Sequence, residues 1–327
     1  MKLADLLNYN SIVIQCHDNP DADTIASGFG VYTYLKSMNK NVSLIYGGNF
    51  EVKKSNLKLM ISELNIPLTH VTSQENIGFP DLLITVDCQY GEGNVQKFTA
   101  TNIAIIDHHQ ISGDLPDISE IRSDQNSCST IVWDMLRNEG NPALLEDLDL
   151  GTALYYGLMT DTNNFTEIYN PLDRELLDTA NFRESDIVRF KNSSISLEEL
   201  RIAGTALLGY EYNENYRFAL VEAKPCDPSI LGIISDMMLE VDSVDTCLVY
   251  TVLDFGVKYS VRSCITEDVK ANELAEYIST GLGSGGGHLV KAGGLLQREL
   301  MEKKGFDYDT IAIKALLYKI LKAYFSK

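Results

Sequence analysis

The stretch Ile103-Ala104-Ile105-Ile106-Asp107-His108-His109 sets three ionisable residues directly behind a short apolar run. A run of this length between polar flanks predicts a buried β-strand. A rigid strand end is where a protein best fixes metal ligands or proton donors within fractions of an ångström. Packing gives no reason for an acid and two imidazoles in a row at that point. Three further segments show the same pattern. Residues 11–16 (SIVIQC) lead into His17-Asp18-Asn19-Pro20-Asp21-Ala22-Asp23, residues 81–86 (DLLITV) into Asp87, and residues 153–160 (ALYYGLMT) into Asp161. A lone Asp after a strand is ordinarily a turn or cap residue. Six ligand-type side chains at four apolar segment ends, namely His17, Asp21, Asp23, Asp87, His108 and Asp161, point instead to a metal centre.

Apolar runs at 42–46, 82–86 and 103–106 alternate with helical stretches at 24–38 and 56–64. Alternation of this kind predicts an α/β fold, a parallel sheet with helices on both faces. Ser129 or Thr130 is expected to start a helix through Arg137, ended by Gly140-Asn141-Pro142. Residues 171–204 read as helical, and 194–200 (SISLEEL) as a capped helix start. Beyond them lie strand candidates at 216–222, 246–253 and 257–262, then helices at 273–282 and 310–323. The expected organisation is a catalytic domain at 1–185, a helical connector at 186–204 and a smaller mixed-sheet α/β domain at 205–327, with the active-site cleft between the two domains.

The 327 residues carry a formal net charge of −19, with 45% apolar and 22% charged side chains. Composition is that of a globular protein. Long nucleic acid is held by basic stripes that release counterions, so a chain this acidic is expected to bind none. Small anions remain accessible to a local cationic cleft. Six cysteines at 16, 88, 128, 226, 247 and 264 show no C-x-x-C spacing and are expected to be reduced. Residues 1–7 lack an apolar targeting core, and no stretch has the length of a membrane span, so a cytoplasmic location and no membrane partner are expected. A homodimer is left open.

Two cations held about 3.5–4 Å apart can bind a hydroxide and a phosphoryl oxygen together. One carboxylate must bridge them, and Asp87 is chosen because it stands alone between flanking groups. His17 and Asp21 then complete one site, and Asp23, His108 and Asp161 the other, with Asp21 and Asp23 on opposite sides of an extended loop. Mixed imidazole and carboxylate ligands favour Mn²⁺, with Mg²⁺ or Co²⁺ as alternatives. His109 is left to donate a hydrogen bond or proton to the phosphate or leaving group. Asp87, His108 and His109 are thus the expected catalytic residues.

His17-x-x-Pro20-Asp21-x-Asp23, the isolated Asp87, Asp107-His108-His109 and Gly157-Leu158-Met159-Thr160-Asp161-Thr162 resemble, in order and spacing, the motifs of DHH phosphoesterases. The resemblance implies a di-manganese phosphoesterase and supports the same ligands. Val261-Arg262-Ser263, followed by Gly285-Gly286-Gly287-His288 and Ala292-Gly293, is similar to the DHH-associated domain of oligoribonucleases (nanoRNases) and pAp phosphatases. It implies that Arg262, Ser263, Gly285, Gly286, Gly287 and His288 bind substrate, a short oligonucleotide or mononucleotide bisphosphate. Asn163 stands where the family usually has Gly, and Leu289 and Lys291 replace a common Pro and Ala. Weighed beside a phosphoesterase of short nucleotides are a pyrophosphatase or exopolyphosphatase, a cyclic dinucleotide phosphodiesterase, a processive single-strand exonuclease and a nucleotide sensor without turnover.

Overall fold

A computed structural model describes residues 1–111, 113–138, 142–193, 195–226 and 228–326. The chain divides into two compact units, Met1–Ile195 and Ser196–Lys327. In the first, the order is β1 (Ser11–Cys16), α1 (Ala22–Ser37), β2 (Asn41–Tyr46), α2 (Ser55–Glu63), β3 (Leu68–His70), β4 (Leu82–Val86), β5 (Asn102–Asp107) and β6 (Ile118–Ile121). Then follow α3 (Cys128–Asn138), α4 (Pro142–Leu145), α5 (Leu148–Asp161), α6 (Pro171–Thr179) and α7 (Glu184–Lys191). The helix stop expected at Gly140 and Asn141 lies outside the described residues, as does Ser194.

The six strands are all parallel, in the order β3-β2-β1-β4-β5-β6. The order reverses between β1 and β4. Chains leaving those two strands diverge to opposite sides, which opens a crevice at their carboxyl ends. His17 follows β1 and Asp87 follows β4, so the topology delivers both to the crevice. β1, β4 and β5 are buried almost throughout, which is why they read as continuous apolar runs. Ile12, Ile14, Leu44, Leu82, Ile84 and Ile106 form the main core with α1, α3 and α5. A smaller cluster on the other face joins Val13, Ile45 and Leu83 to Val71 and Phe98.

The fourth strand expected upstream of Asp161 is instead the helix α5. Asp147 caps its start, accepting from the backbone N–H groups of Asp149 and Leu150. Its residues are buried nearly all round, so the apolar run lacks an amphipathic period and reads like a buried strand. Asp161 therefore ends a helix rather than a strand.

In the second unit the order is α8 (Leu197–Leu207), β7 (Glu211–Asn213), β8 (Phe218–Ala223), α9 (Pro228–Leu239), β9 (Thr246–Leu253), β10 (Gly256–Ser263) and α10 (Ala271–Ser279). It closes with β11 (Gly283–Gly287), β12 (Lys291–Gln297), α11 (Arg298–Lys303) and α12 (Thr310–Phe325). Ser196 and Glu199 form a reciprocal capping box at the start of α8. The sheet order is β11-β12-β10-β9-β8-β7, antiparallel except for β8 and β9. One face packs on α10 and α12 through Phe218, Tyr259, Val261 and Leu317, and the other on α9 through Val249, Ile230 and Ile234. The glycine-rich stretch is an edge strand rather than a loop. Among the described residues, no helix is long and apolar enough to cross a membrane, and all six cysteines are unbridged.

Candidate metal centre

Asp21 is the N-cap of α1 and accepts from the N–H groups of Asp23 and Thr24. Asp23 thus belongs to the helix rather than to an extended loop. Its carboxylate turns to the start of α3, accepting from Cys128 N at 2.7 Å and Ser129 N at 2.8 Å. Two donors at a helix N-terminus fix both of its oxygens. Gly157 lets α5 come equally close, since a side chain there would collide with Ser129 and press on Asp23. Asp87 has a φ of 59°, a left-handed turn that Asp tolerates better than most residues. Its N–H still bonds Ile106 O at 2.9 Å, so the carboxylate is aimed from the last rung of the sheet.

The six expected ligands converge. His17 Nε2 lies 3.5 Å from Asp21 Oδ2 and 3.7 Å from Asp87 Oδ2. On the other side, His108 Nε2 lies 3.2 Å from Asp87 Oδ1 and 3.4 Å from Asp161 Oδ2. Three groups arise with ligand atoms within 4.8 Å of one another: His17, Asp21 and Asp87; Asp23, His108 and Asp161; and Asp87, His108 and His109. Asp87 offers one oxygen to each side. Its Oδ1 and His108 Nε2 are buried with no hydrogen-bond partner, an arrangement that costs about 1–3 kcal/mol per group unless something else binds them. The Nδ1 of His108 faces Gln125 O at 3.3 Å. A carbonyl only accepts, so Nδ1 carries the proton and Nε2 presents a lone pair. Geometry, donor set and orphaned atoms all fit a pair of divalent cations.

The family model described as DHH family, N-terminal domain, matches residues 11–158. This segment is thus similar to the N-terminal domain of the DHH family. An uncharacterised protein of Methanocaldococcus jannaschii is 24% identical over 284 residues, covering 86% of this chain and 57% of that protein. The cyclic-di-AMP phosphodiesterase PdeA of Listeria monocytogenes is 25% identical over 306 residues, covering 86% of this chain and 44% of that protein. The chain thus spans about half the length of these two relatives. An exopolyphosphatase-related protein from Bacteroides fragilis shares the fold, with a TM-score of 0.76 at 21% identity, over 99% of this chain and 96% of that one. RecJ from Thermus thermophilus in complex with Mn²⁺ aligns with a TM-score of 0.57 at 13% identity, over 97% of this chain and 53% of that one.

Electrostatics in the ligand cluster follow from crowding four aspartates with few cations. Burial, then the charges of Asp23, Asp21 and Asp107, push the Asp87 carboxyl well above its usual range. Asp161 is raised in the same way, by burial and then by Asp23, Asp21 and Asp87. Burial would lower His108, but Asp23, Asp161 and Asp107 outweigh it and raise the imidazole. Burial likewise opposes ionisation of Asp21, yet the hydrogen bond and charge of His17 bring it down to about 2. Without cations, burial and mutual repulsion therefore oppose ionisation of Asp87 and Asp161.

A brace of Asp107 and Gln89 behind His109 was not assigned from sequence. Asp107, fully buried, accepts from His109 Nδ1 at 2.8 Å and from Gln89 Nε2 at 2.9 Å. Gln89 also donates to Gln110 O at 3.0 Å. His109 is thereby held with its Nε2 directed away from the brace. A single Gln two positions after Asp87 carries no motif signal of its own. Asn163, in the position usually held by Gly, has a φ of 49°, the left-handed backbone such a position requires.

The second unit sorts its expected residues by strand alternation. Arg262 stands opposite Lys291 across β10 and β12, with Ser260, Gly293 and Gly286 on the same face. Arg262 Nε donates to Asp236 Oδ1 at 2.7 Å and Nη1 to Ser260 Oγ at 3.0 Å. Gly286 has open space where a Cβ would stand. Ser263 and Gly285 fall on the opposite face. Ser263 is 1% exposed, and a Cβ at Gly285 would meet Ala275 O of α10 at 2.6 Å. Both therefore lie on the face that packs on α10, away from Arg262. Gly287 has a φ of 146°, and exposed His288 donates its backbone N–H to Lys291 O at 2.7 Å, closing the β11–β12 turn.

Proposed function

We propose that the chain is a two-cation phosphoesterase that cleaves short oligonucleotides, linear dinucleotides or nucleoside bisphosphates such as pAp. Asp87 carries the proposal, because its two oxygens face two separate ligand sets across 3.2 and 3.7 Å. His17, Asp21 and Asp87 would hold one Mn²⁺, and Asp23, Asp87, His108 and Asp161 the other. Such a pair lowers the pKa of water and offsets charge developing on phosphate oxygens. The imidazole and carboxylate mixture supports Mn²⁺, as does the manganese complex of the similarly folded RecJ.

The chain's own groups do the orienting. Gln125 O keeps His108 Nε2 aimed at Asp87 and Asp161. Asp107 keeps His109 Nδ1 occupied, so that Nε2 would give a proton to the leaving oxygen from the doubly protonated ring, leaving the neutral Nδ1–H imidazole. Arg262, fixed by Asp236 and Ser260, retains N–H donors for a phosphate, and Lys291 beside it adds charge in a chain whose net is −19. The open floor at Gly286 admits a flat base. We propose these residues, with Gly287 and His288, as the recognition surface, and the cytoplasm, where unbridged thiols persist, as the location.

A second reading, a cyclic dinucleotide phosphodiesterase, is favoured by the similarity to PdeA. The discriminating experiment follows Mn²⁺-dependent product formation from pAp, a linear dinucleotide, cyclic di-adenylate, a five-residue oligonucleotide, a long single strand and pyrophosphate. Preference for pAp and short linear substrates is expected. Cleavage of cyclic di-adenylate alone would establish the second reading, and cleavage of pyrophosphate alone would overturn both.

A further inference from the structure

The rim of the metal centre carries residues that the ligand set does not use. β2 pairs with β1 in register, Cys16 opposite Tyr46, so the loop at 47–54 leaves the sheet beside His17. Contact is direct, since a Cβ on Gly47 or Gly48 would lie 2.8 Å from an atom of Asp18. The loop is fastened at both ends. Gly48 N donates to Gln96 Oε1 at 3.0 Å, Gly48 O accepts from His70 Nε2 at 3.0 Å, and Val52 N donates to the Tyr46 hydroxyl at 3.0 Å. Between these anchors Phe50 stands 71% exposed, with the Lys53 ammonium 5.4 Å from its ring centroid. Lys54 follows, at the start of α2. Among the described residues, neither lysine forms a salt bridge.

A single exposed aromatic is ordinary on a protein surface. This one sits on a doubly anchored loop beside the ligand cluster, with two lysines close by in a chain of net charge −19. Flat bases stack on exposed aromatic rings with little regard to sequence, and lysines take phosphate as point charges. We propose that Phe50, Lys53 and Lys54 form a nucleotide subsite on the rim of the metal centre, the base stacking on Phe50 and the two ammonium groups taking a phosphate oxygen. This rests on the phosphoesterase reading, in which the scissile phosphate lies at the ligand cluster and a neighbouring nucleoside reaches the loop.

The test compares KM for a 5′-phosphorylated diadenylate and for the same molecule carrying one abasic residue, in wild type and Phe50→Ala. Stacking of a base on an aromatic side chain predicts that the advantage of the base-bearing substrate falls about 10-fold in the variant. Phe50→Tyr restores it. The Lys53→Gln, Lys54→Gln pair raises KM for both substrates and flattens the dependence of KM on salt. A second readout needs no turnover: the Phe50→Trp protein is titrated with the diadenylate, and quenching of the exposed indole is expected over the fluorescence of buried Trp133. An unchanged KM ratio together with absent quenching would overturn the subsite. If wild type cleaves nothing with Mn²⁺, the phosphoesterase reading fails, and the quenching titration alone then decides whether the loop binds nucleotide.

Discussion

Asp87→Asn should act with opposite sign in the presence and absence of cations. Asn is the replacement of choice because it tolerates the φ of 59°, where Ala would add strain of about 1–2 kcal/mol. In the metal-free protein the Asp87 carboxyl is raised well above its usual range, by burial and by Asp23, Asp21 and Asp107. A carboxyl raised on folding binds protons better in the native state, so stability falls as pH climbs from the unfolded value, near 4, through the folded one. Asn removes the ionisable carboxyl whose charged form burial and its acidic neighbours disfavour. The metal-free variant should therefore lose that fall in stability with rising pH and be more stable than wild type by roughly 1–3 kcal/mol at the alkaline end. For a unit ending at Ile195 this raises Tm by about 2–4 °C per kcal/mol. With Mn²⁺ the order reverses. Wild type should gain about 2.7 kcal/mol at a hundredfold excess over Kd, whereas the variant, deprived of its bridge, gains far less. Turnover should fall by more than the roughly 10–100-fold typical of losing a group that merely supports a ligand. Calorimetry after chelation, with and without added Mn²⁺, reads both arms. A variant less stable than wild type without metal, yet equally stabilised by Mn²⁺, would refute the bridging role.

Gln89→Met should lower kcat about 10-fold with little change in KM, and the loss should not add to that of His109→Ala, because Gln89 acts through Asp107 on the same imidazole. Additive losses would show that Gln89 is only packing. Gly157→Ala forces a methyl against Ser129 and Asp23, so it should cost about 1–3 kcal/mol in thermal unfolding and weaken Mn²⁺ binding by calorimetric titration. Arg262→Ala should weaken dinucleotide binding, measured by KM, more than it slows a generic phosphodiester; an equal loss on both removes its recognition role.

How much was legible depended on burial. β1, β4 and β5 announce themselves because both faces are covered, and their ligand residues stand out as polar groups where apolar runs stop. α5 reads like a strand for the same reason, since a helix buried all round shows no period. β3, β6 and β7 escaped notice because three or four half-exposed residues carry no pattern. β11 shows no strand pattern in the sequence because glycine disfavours strands, yet it pairs along its whole length through backbone bonds to β12. The resemblance that groups Ser263 with Arg262 says nothing of facing, and strand alternation sends the two to opposite faces. The Asp107 and Gln89 brace needed coordinates, because its members lie on different strand ends.

The ligand set is gathered from sequence positions as far apart as 17 and 161, delivered by the ends of β1, β4 and β5 and by α1 and α5. No local segment holds a cation by itself, so the full centre exists only after the parallel sheet has closed, the slow, non-local stage of assembly. Cations that bind this late act as a latch. They should leave the refolding rate nearly untouched and show their whole effect as slower unfolding, which makes metal loading the determinant of the domain's lifetime rather than of its formation.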